Sequence, residues 1–237
     1  MKKVIVPLII LALSLQVVKA QGFDSKRFLA DVFQVDEYIK RNNRGISYAD
    51  TDSYRGTPYN NPSYLNGNIY KGGELLATNV ALRFNAFEDE MEVKESLTTP
   101  DSQAKVLTKD PDIYVKIMND IFVFVAYDGG VEGGGYFQVL QEGNKIDLFK
   151  KMKKEFVPEK KSTSSITPGF PAQFKDEPIY YIVDKKGKFF ELPSSKRKML
   201  KVFGANKDLV KDYIKEKDLD VDKEEDLKRL MKYYDTL

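Results

Sequence analysis

Val80-Ala81-Leu82-Arg83-Phe84-Asn85-Ala86-Phe87, then Glu88-Asp89-Glu90, then Met91-Glu92-Val93-Lys94, sets two short runs of apolar and aromatic residues on either side of an acidic turn. Such a pattern predicts an antiparallel hairpin, because β-branched and aromatic residues suit a pleated surface and polar ones suit the turn. It recurs three times. Residues 113–117 and 121–127 flank Met118-Asn119-Asp120, and residues 136–141 and 146–150 flank Glu142-Gly143-Asn144-Lys145. Residues 179–183 and 189–192 flank Asp184-Lys185-Lys186-Gly187-Lys188. Successive hairpins predict a meander and exclude alternating strand–helix units. The expected fold is mainly β with helical ends, of the α+β class: an antiparallel meander over 75–193 forming a sandwich or partly open barrel.

Outward from this centre the composition changes. Residues 46–74 are dense in glycine, asparagine, proline and tyrosine (Tyr48, Tyr54, Tyr59, Tyr64, Tyr70), so neither helix nor long strand is expected there. In 21–45, Phe28, Val32, Val35 and Ile39 fall on one face of an amphipathic helix that Asp24 or Ser25 can cap and Asn42-Asn43 with Gly45 can end. Residues 158–178 hold four prolines and Ser162-Thr163-Ser164-Ser165, which predicts a long surface loop. From 194 to 237 a small helical cap is expected. Ser194 or Ser195 starts its first helix and Gly204 ends it; Asn206 starts a second; Asp222 starts a third, with Glu225 completing a capping box.

The first twenty residues carry Lys2 and Lys3, an apolar run from Val4 to Leu13 and a small-residue end at Ala20. This is the anatomy of a secretory signal, with cleavage expected after Ala20. Ser14, Gln16 and Lys19 break the run before it could span a bilayer, so no transmembrane segment is expected after cleavage. The signal accounts for three of the 38 basic residues and none of the 36 acidic ones. The remainder is therefore nearly neutral, which argues against nucleic acid as a partner. The chain holds no cysteine, so an exported form must be stabilised by its core without disulfides.

The chain also holds no histidine, which removes the commonest general base and the commonest transition-metal ligand. With cysteine absent too, Ser-His-Asp and Cys-His catalysis, zinc and haem are set aside; no catalytic residue, metal or cofactor is assigned. Asp218, Asp220 and Asp222 open like a calcium-binding loop, but Lys223 and Arg229 stand where that loop needs glycine and glutamate, so a solvated linker is expected. Gly129-Gly130-Val131-Glu132-Gly133-Gly134-Gly135 would need a helix after it to cradle phosphate, whereas 136–140 read as a strand; a hairpin loop is expected. Glu88, Asp89, Glu90 and Glu92 could serve a carboxylate-based hydrolase, but nothing in the sequence places a second carboxylate across a cleft from them, so a solvated turn between strands is expected. Lysines crowd 145–161 and 185–201, offering an anionic surface contact or simply charged edge strands. Tyr54, Tyr59, Tyr64 and Tyr70 are the candidate ligand- or partner-binding residues, since tyrosine is a rigid amphipathic anchor. The competing expectation is a cover laid across the sheet.

Gly56-Thr57-Pro58-Tyr59, the run Leu82 to Phe87 leading into Asp89-Glu90-Met91-Glu92, Gly135 to Leu140 and the closing Tyr233-Tyr234 resemble a group of uncharacterised exported proteins of Bacteroidetes-type bacteria. That resemblance implies compartment and fold, and carries no activity. The functional expectation is an exported non-enzymatic structural or interaction protein of the periplasm or outer-membrane assembly, with a protein partner in the cell envelope. A glycan or small-ligand module using the tyrosine-rich segment is the alternative.

Overall fold

The computed structural model describes residues 54–126, 134–162 and 168–237. The signal, the helix expected over 21–45, Tyr48, most of the glycine-rich run and most of the serine tract lie outside the described residues. In chain order the strands are β1 (Leu65–Lys71), β2 (Glu74–Asn85), β3 (Glu90–Lys94), β4 (Lys105–Val106), β5 (Ile113–Ile117), β6 (Asp120–Val125), β7 (Gly135–Glu142), β8 (Ile146–Lys151), β9 (Lys154–Val157), β10 (Gln173–Asp176), β11 (Ile179–Asp184) and β12 (Phe189–Leu192). All pair antiparallel. Ten of them form one sheet in the order β12-β11-β8-β7-β6-β5-β1-β2-β3-β4, while β9 and β10 form a separate ribbon. The fold is thus mainly antiparallel β. The expected sandwich or partly open barrel reduces to one continuous sheet that does not close.

Alternation along the strands divides the core. On one face Ile69, Leu82, Met91, Val115 and Phe122 pack together, and Phe84 of β2 reaches Phe122 of β6 and Tyr136 of β7 with ring centroids 5.5 and 5.9 Å apart. Two strands separate β2 from β6 in the ladder, so the sheet curls around this cluster. Beyond β7 the same side is taken over by helices α1 (Lys196–Val202), α2 (Lys207–Glu216) and α3 (Glu224–Tyr234), whose Met199, Val210, Leu230 and Met231 pack on Leu148, Ile182 and Leu192. The helices are too short to stand alone, and burial of this stripe stabilises them. Phe137, Tyr181 and Val183 point the other way, into a cluster joined by Phe149 and Phe189. Among the described residues no helix is long and apolar enough to cross a membrane.

Several expectations are corrected. The segment 46–74 contributes β1, a seven-residue strand in the middle of the sheet between β2 and β5, which also breaks the simple meander. Gly67 permits this: a Cβ there would sit 2.4 Å from the Lys116 carbonyl oxygen, so β5 can approach only a residue without a side chain. The first hairpin turns earlier than expected, pairing Asn85 with Glu90 and leaving Ala86 and Phe87 in the turn. The buried Asn85 side chain accepts the Phe87 and Glu88 N–H groups and Asp89 adopts φ 56°, a turn closed by the asparagine itself. Within 158–178, β10 pairs with β9, and Lys160 and Phe170 exchange both backbone hydrogen bonds, so the described residues of this stretch extend a hairpin and not a plain loop. The capping box at Asp222 does not form. α3 begins at Glu224, and the Asp226 carboxylate accepts the Asp220 N–H instead.

Candidate functional site

Arg83 and Glu92 face each other across β2 and β3 on the side of the hairpin opposite the main core. A charged pair there would ordinarily be solvated, yet the Glu92 side chain is 1 % exposed. The cause is the segment before β1, which crosses this face: Pro58 accepts the Ala86 N–H, and the Asn60 N–H donates to Phe84. Once buried, the charges have to be matched internally. Arg83 Nε and Nη2 donate to Glu92 Oε2 at 3.1 and 2.7 Å, Tyr64 Oη donates to the same oxygen at 2.7 Å, and Tyr59 Oη lies 3.4 Å from Oε1. The guanidinium lies between two rings, 3.7 Å from the Tyr59 centroid and 4.1 Å from that of Tyr64. Lys94 Nζ approaches the Tyr64 ring and pairs with Asp101 at 2.7 Å. Burial and the neighbouring Glu92 push the Tyr64 phenol up, so it remains a proton donor. Glu92 holds the Arg83 charge against the cost of burial.

The four candidate tyrosines are therefore distributed among different tasks. Tyr59 and Tyr64 bracket Arg83. Tyr54 is buried edge-on against Phe174 of the ribbon, where Arg55 exchanges backbone hydrogen bonds with Ala172 and Phe174. Tyr70 lies on β1 and stacks on Tyr114 of β5, centroids 4.7 Å apart and half-buried.

A second constellation joins four stretches of chain at Asp89. Asp89 Oδ1 accepts the Tyr136 N–H at 3.0 Å, Lys109 Nζ approaches Oδ2 at 3.4 Å, and Lys151 Nζ donates to the Gly134 carbonyl. Gly135, at φ 111°, brings its backbone against the Asp89 carboxylate, 2.3 Å from where a Cβ would stand, so no other residue fits unchanged. Burial pushes Asp89 up, opposed by Lys109 and the Tyr136 amide, and burial pushes Lys151 down. Such shifts suit proton transfer as well as packing. The described partners here are all internal, and they tie the first hairpin to the start of β7. A strand, not a helix, follows Gly135, as the loop reading of the glycine run expects. The buried Tyr136 hydroxyl and Gln138 Oε1 have no hydrogen-bond partner among the described residues.

The acidic turn thus divides, Asp89 joining the lysine cluster and Glu92 the arginine–tyrosine stack. The sequence assigns no role to Arg83, Lys94, Lys109 or Tyr136, and marks Lys151 only as a member of the 145–161 lysine run. The cross-strand register would have paired Arg83 with Glu92, but nothing local foretells the meeting of Asp89 with Lys109 and β7. Asp218, Asp220 and Asp222 lie in the link before α3, and no group of acidic side chains able to hold a metal occurs among the described residues. From the lysine runs, Lys150 pairs with Glu224, Lys154 with Asp176 and Lys185 with Asp147. No family model, curated protein or solved structure matches this chain.

Proposed function

We propose that the protein is an exported, non-enzymatic interaction or scaffold protein of the periplasm or outer-membrane assembly, of the kind its resemblance to Bacteroidetes-type exported proteins implies. One observation carries this reading: the strongest polar constellation, Arg83 and Glu92 between Tyr59 and Tyr64, is spent on fastening a cover to the sheet. A β body whose buried charge pair is matched by its own residues suits a protein that presents surfaces. In-cell cross-linking with mass spectrometry tests it: recurrent cross-links from the body to an envelope protein are expected, and recovery only as an uncross-linked monomer from envelopes would overturn it.

Binding of a glycan or small ligand retains one favouring observation, the half-buried stack of Tyr70 on Tyr114. Tyr70→Ala should then abolish any glycan-induced melting shift without lowering the melting temperature of the free protein by more than a few degrees.

A further inference from the structure

The two lysine-rich stretches have different fates in the fold. In 145–161, Lys150, Lys151 and Lys154 bond to other elements, while Lys145, Lys153, Lys160 and Lys161 are divided among a turn, the link from β8 to β9 and the ribbon. In 185–201 seven basic residues stand with one acidic residue, Glu191, and among the described residues Lys185 alone of the seven has an ion pair, with Asp147. Lys186, Lys188, Lys196, Arg197, Lys198 and Lys201 are all exposed.

These charges gather on one side of the sheet. Phe190 pairs across the ladder with Ile182, so Phe190 and Lys188 stand on the side that carries the helical cap, with Lys188 Nζ 5.0 Å from the Phe190 ring centroid. Helix α1 follows β12 on that same side, where Met199, Leu200 and Phe203 are buried with Ile182 and Leu192. Arg197, Lys198 and Lys201 occupy the opposite arc of the helix and face away from the sheet. The acidic residues around them leave an excess of positive charge. Glu191 lies across from Tyr181 and so stands on the other face, and the Asp184 carboxylate accepts the Lys186 and Lys188 N–H groups at the hairpin turn. Glu224, Glu225 and Asp226 of α3 are matched by Lys150, Lys228 and Arg229, while Asp208, Asp212 and Asp222 stand beside Lys207, Lys211 and Lys223 in the chain.

The kinds of residue decide what such a surface meets. Six of the seven cations are lysine, which protein–protein interfaces disfavour relative to arginine. A compact ammonium on a flexible stem suits the diffuse field of many phosphates better than a fixed pattern of carboxylates. Phe190 is 37 % exposed among these cations, and an aromatic ring so placed can enter the headgroup boundary. We propose that Lys186, Lys188 and the outer arc of α1, around Phe190, rest on an anionic phospholipid surface and hold the exported protein peripherally at a membrane. This deepens the interaction reading and rests on its exported compartment.

The test is cosedimentation of the exported protein with vesicles of phosphatidylcholine containing about one third phosphatidylglycerol. Saturable binding is expected there and none on phosphatidylcholine alone, and binding should fall steeply as salt rises from about 0.05 to about 0.5 M. Arg197→Glu with Lys198→Glu and Lys201→Glu should weaken binding at least about a hundredfold, whereas Lys160→Glu with Lys161→Glu, on the ribbon, should change it by less than about twofold. The chain has no tryptophan, so Phe190→Trp reports on the surface itself, and its emission should shift to the blue on the anionic vesicles. Equal binding to neutral vesicles, undiminished affinity in the folded α1 variant, an equal loss in the ribbon variant or an unshifted emission would each overturn the proposal. Retention on polyglutamate without binding to vesicles would overturn it in favour of an acidic protein partner. Should the α1 variant fail to fold, Lys186→Glu with Lys188→Glu, outside the helix, decides. Failure on vesicles alongside persistent cross-links to an envelope protein removes this surface and leaves the interaction reading standing.

Discussion

Glu92 is the side chain on which the cover depends, because removing one member of a buried ion pair leaves the other charge unmatched. Glu92→Ala should destabilise the fold by about 3–5 kcal/mol, read as a lower denaturant midpoint with an unchanged slope. Changing both partners to apolar residues, Arg83→Met with Glu92→Leu, should recover most of that loss, since neither charge is then buried. Met118 provides a contrary case. It occupies φ 54° in the two-residue turn between β5 and β6 and is 64 % exposed, so its side chain gives little packing in return for a conformation that disfavours it. Met118→Gly should raise stability by roughly 0.5–1 kcal/mol in the same denaturation experiment, because glycine suits the first central position of such a hairpin turn.

Asp235 ties the last helix to the sheet: its carboxylate accepts the N–H groups of Asn144, Lys145 and Ile146 at 2.7, 2.6 and 2.9 Å. Those amides, that of Asn144 foremost, hold its carboxyl below the usual range. A depressed acid contributes stability that is present above its ordinary value of 3.8 and lost as pH falls through the folded value. Hydrogen exchange at Asn144 to Ile146 should therefore accelerate in strongly acidic solution relative to the rest of the sheet. At neutral pH Asp235→Ala should speed exchange there by about tenfold while leaving β1 and β5 protected. Elements of this kind were partly legible. The four hairpins and three closing helices follow from apolar period and turn residues, whereas β1 did not, because Asn66, Gly67 and Asn68 carry no strand signal and pair only through what β2 and β5 present. Of the candidate site, the covering role of Tyr59 and Tyr64 was one of two open readings. The partners that settle their placement, Arg83 and Glu92, come from a register that Asn85 fixes by its own turn.

For the molecule as a whole, Asp89 sets a pH dependence of opposite sign to Asp235. Burial raises it, so its contribution is fully present below its ordinary value of 3.8 and is lost as pH rises through the raised folded value. Asp89→Asn should thus melt higher than the parent near neutral pH, its amide oxygen still accepting the Tyr136 N–H, and the gain should vanish in thermal melts below about pH 3.8. The two aspartates act in adjacent windows, Asp235 below the ordinary value of 3.8 and Asp89 above it, so together they favour a local stability maximum near that value. The place of β1 has a kinetic consequence. The hairpins on either side close locally, but the two halves of the ladder become one only when β1, already beside β2, captures a strand synthesised much later, and joining segments so far apart along the chain is entropically slow. Refolding should therefore pass its steepest barrier at the β1–β5 seam, and a lesion there, such as Gly67→Ala, should slow assembly more than an equal loss of stability placed in the helical cap.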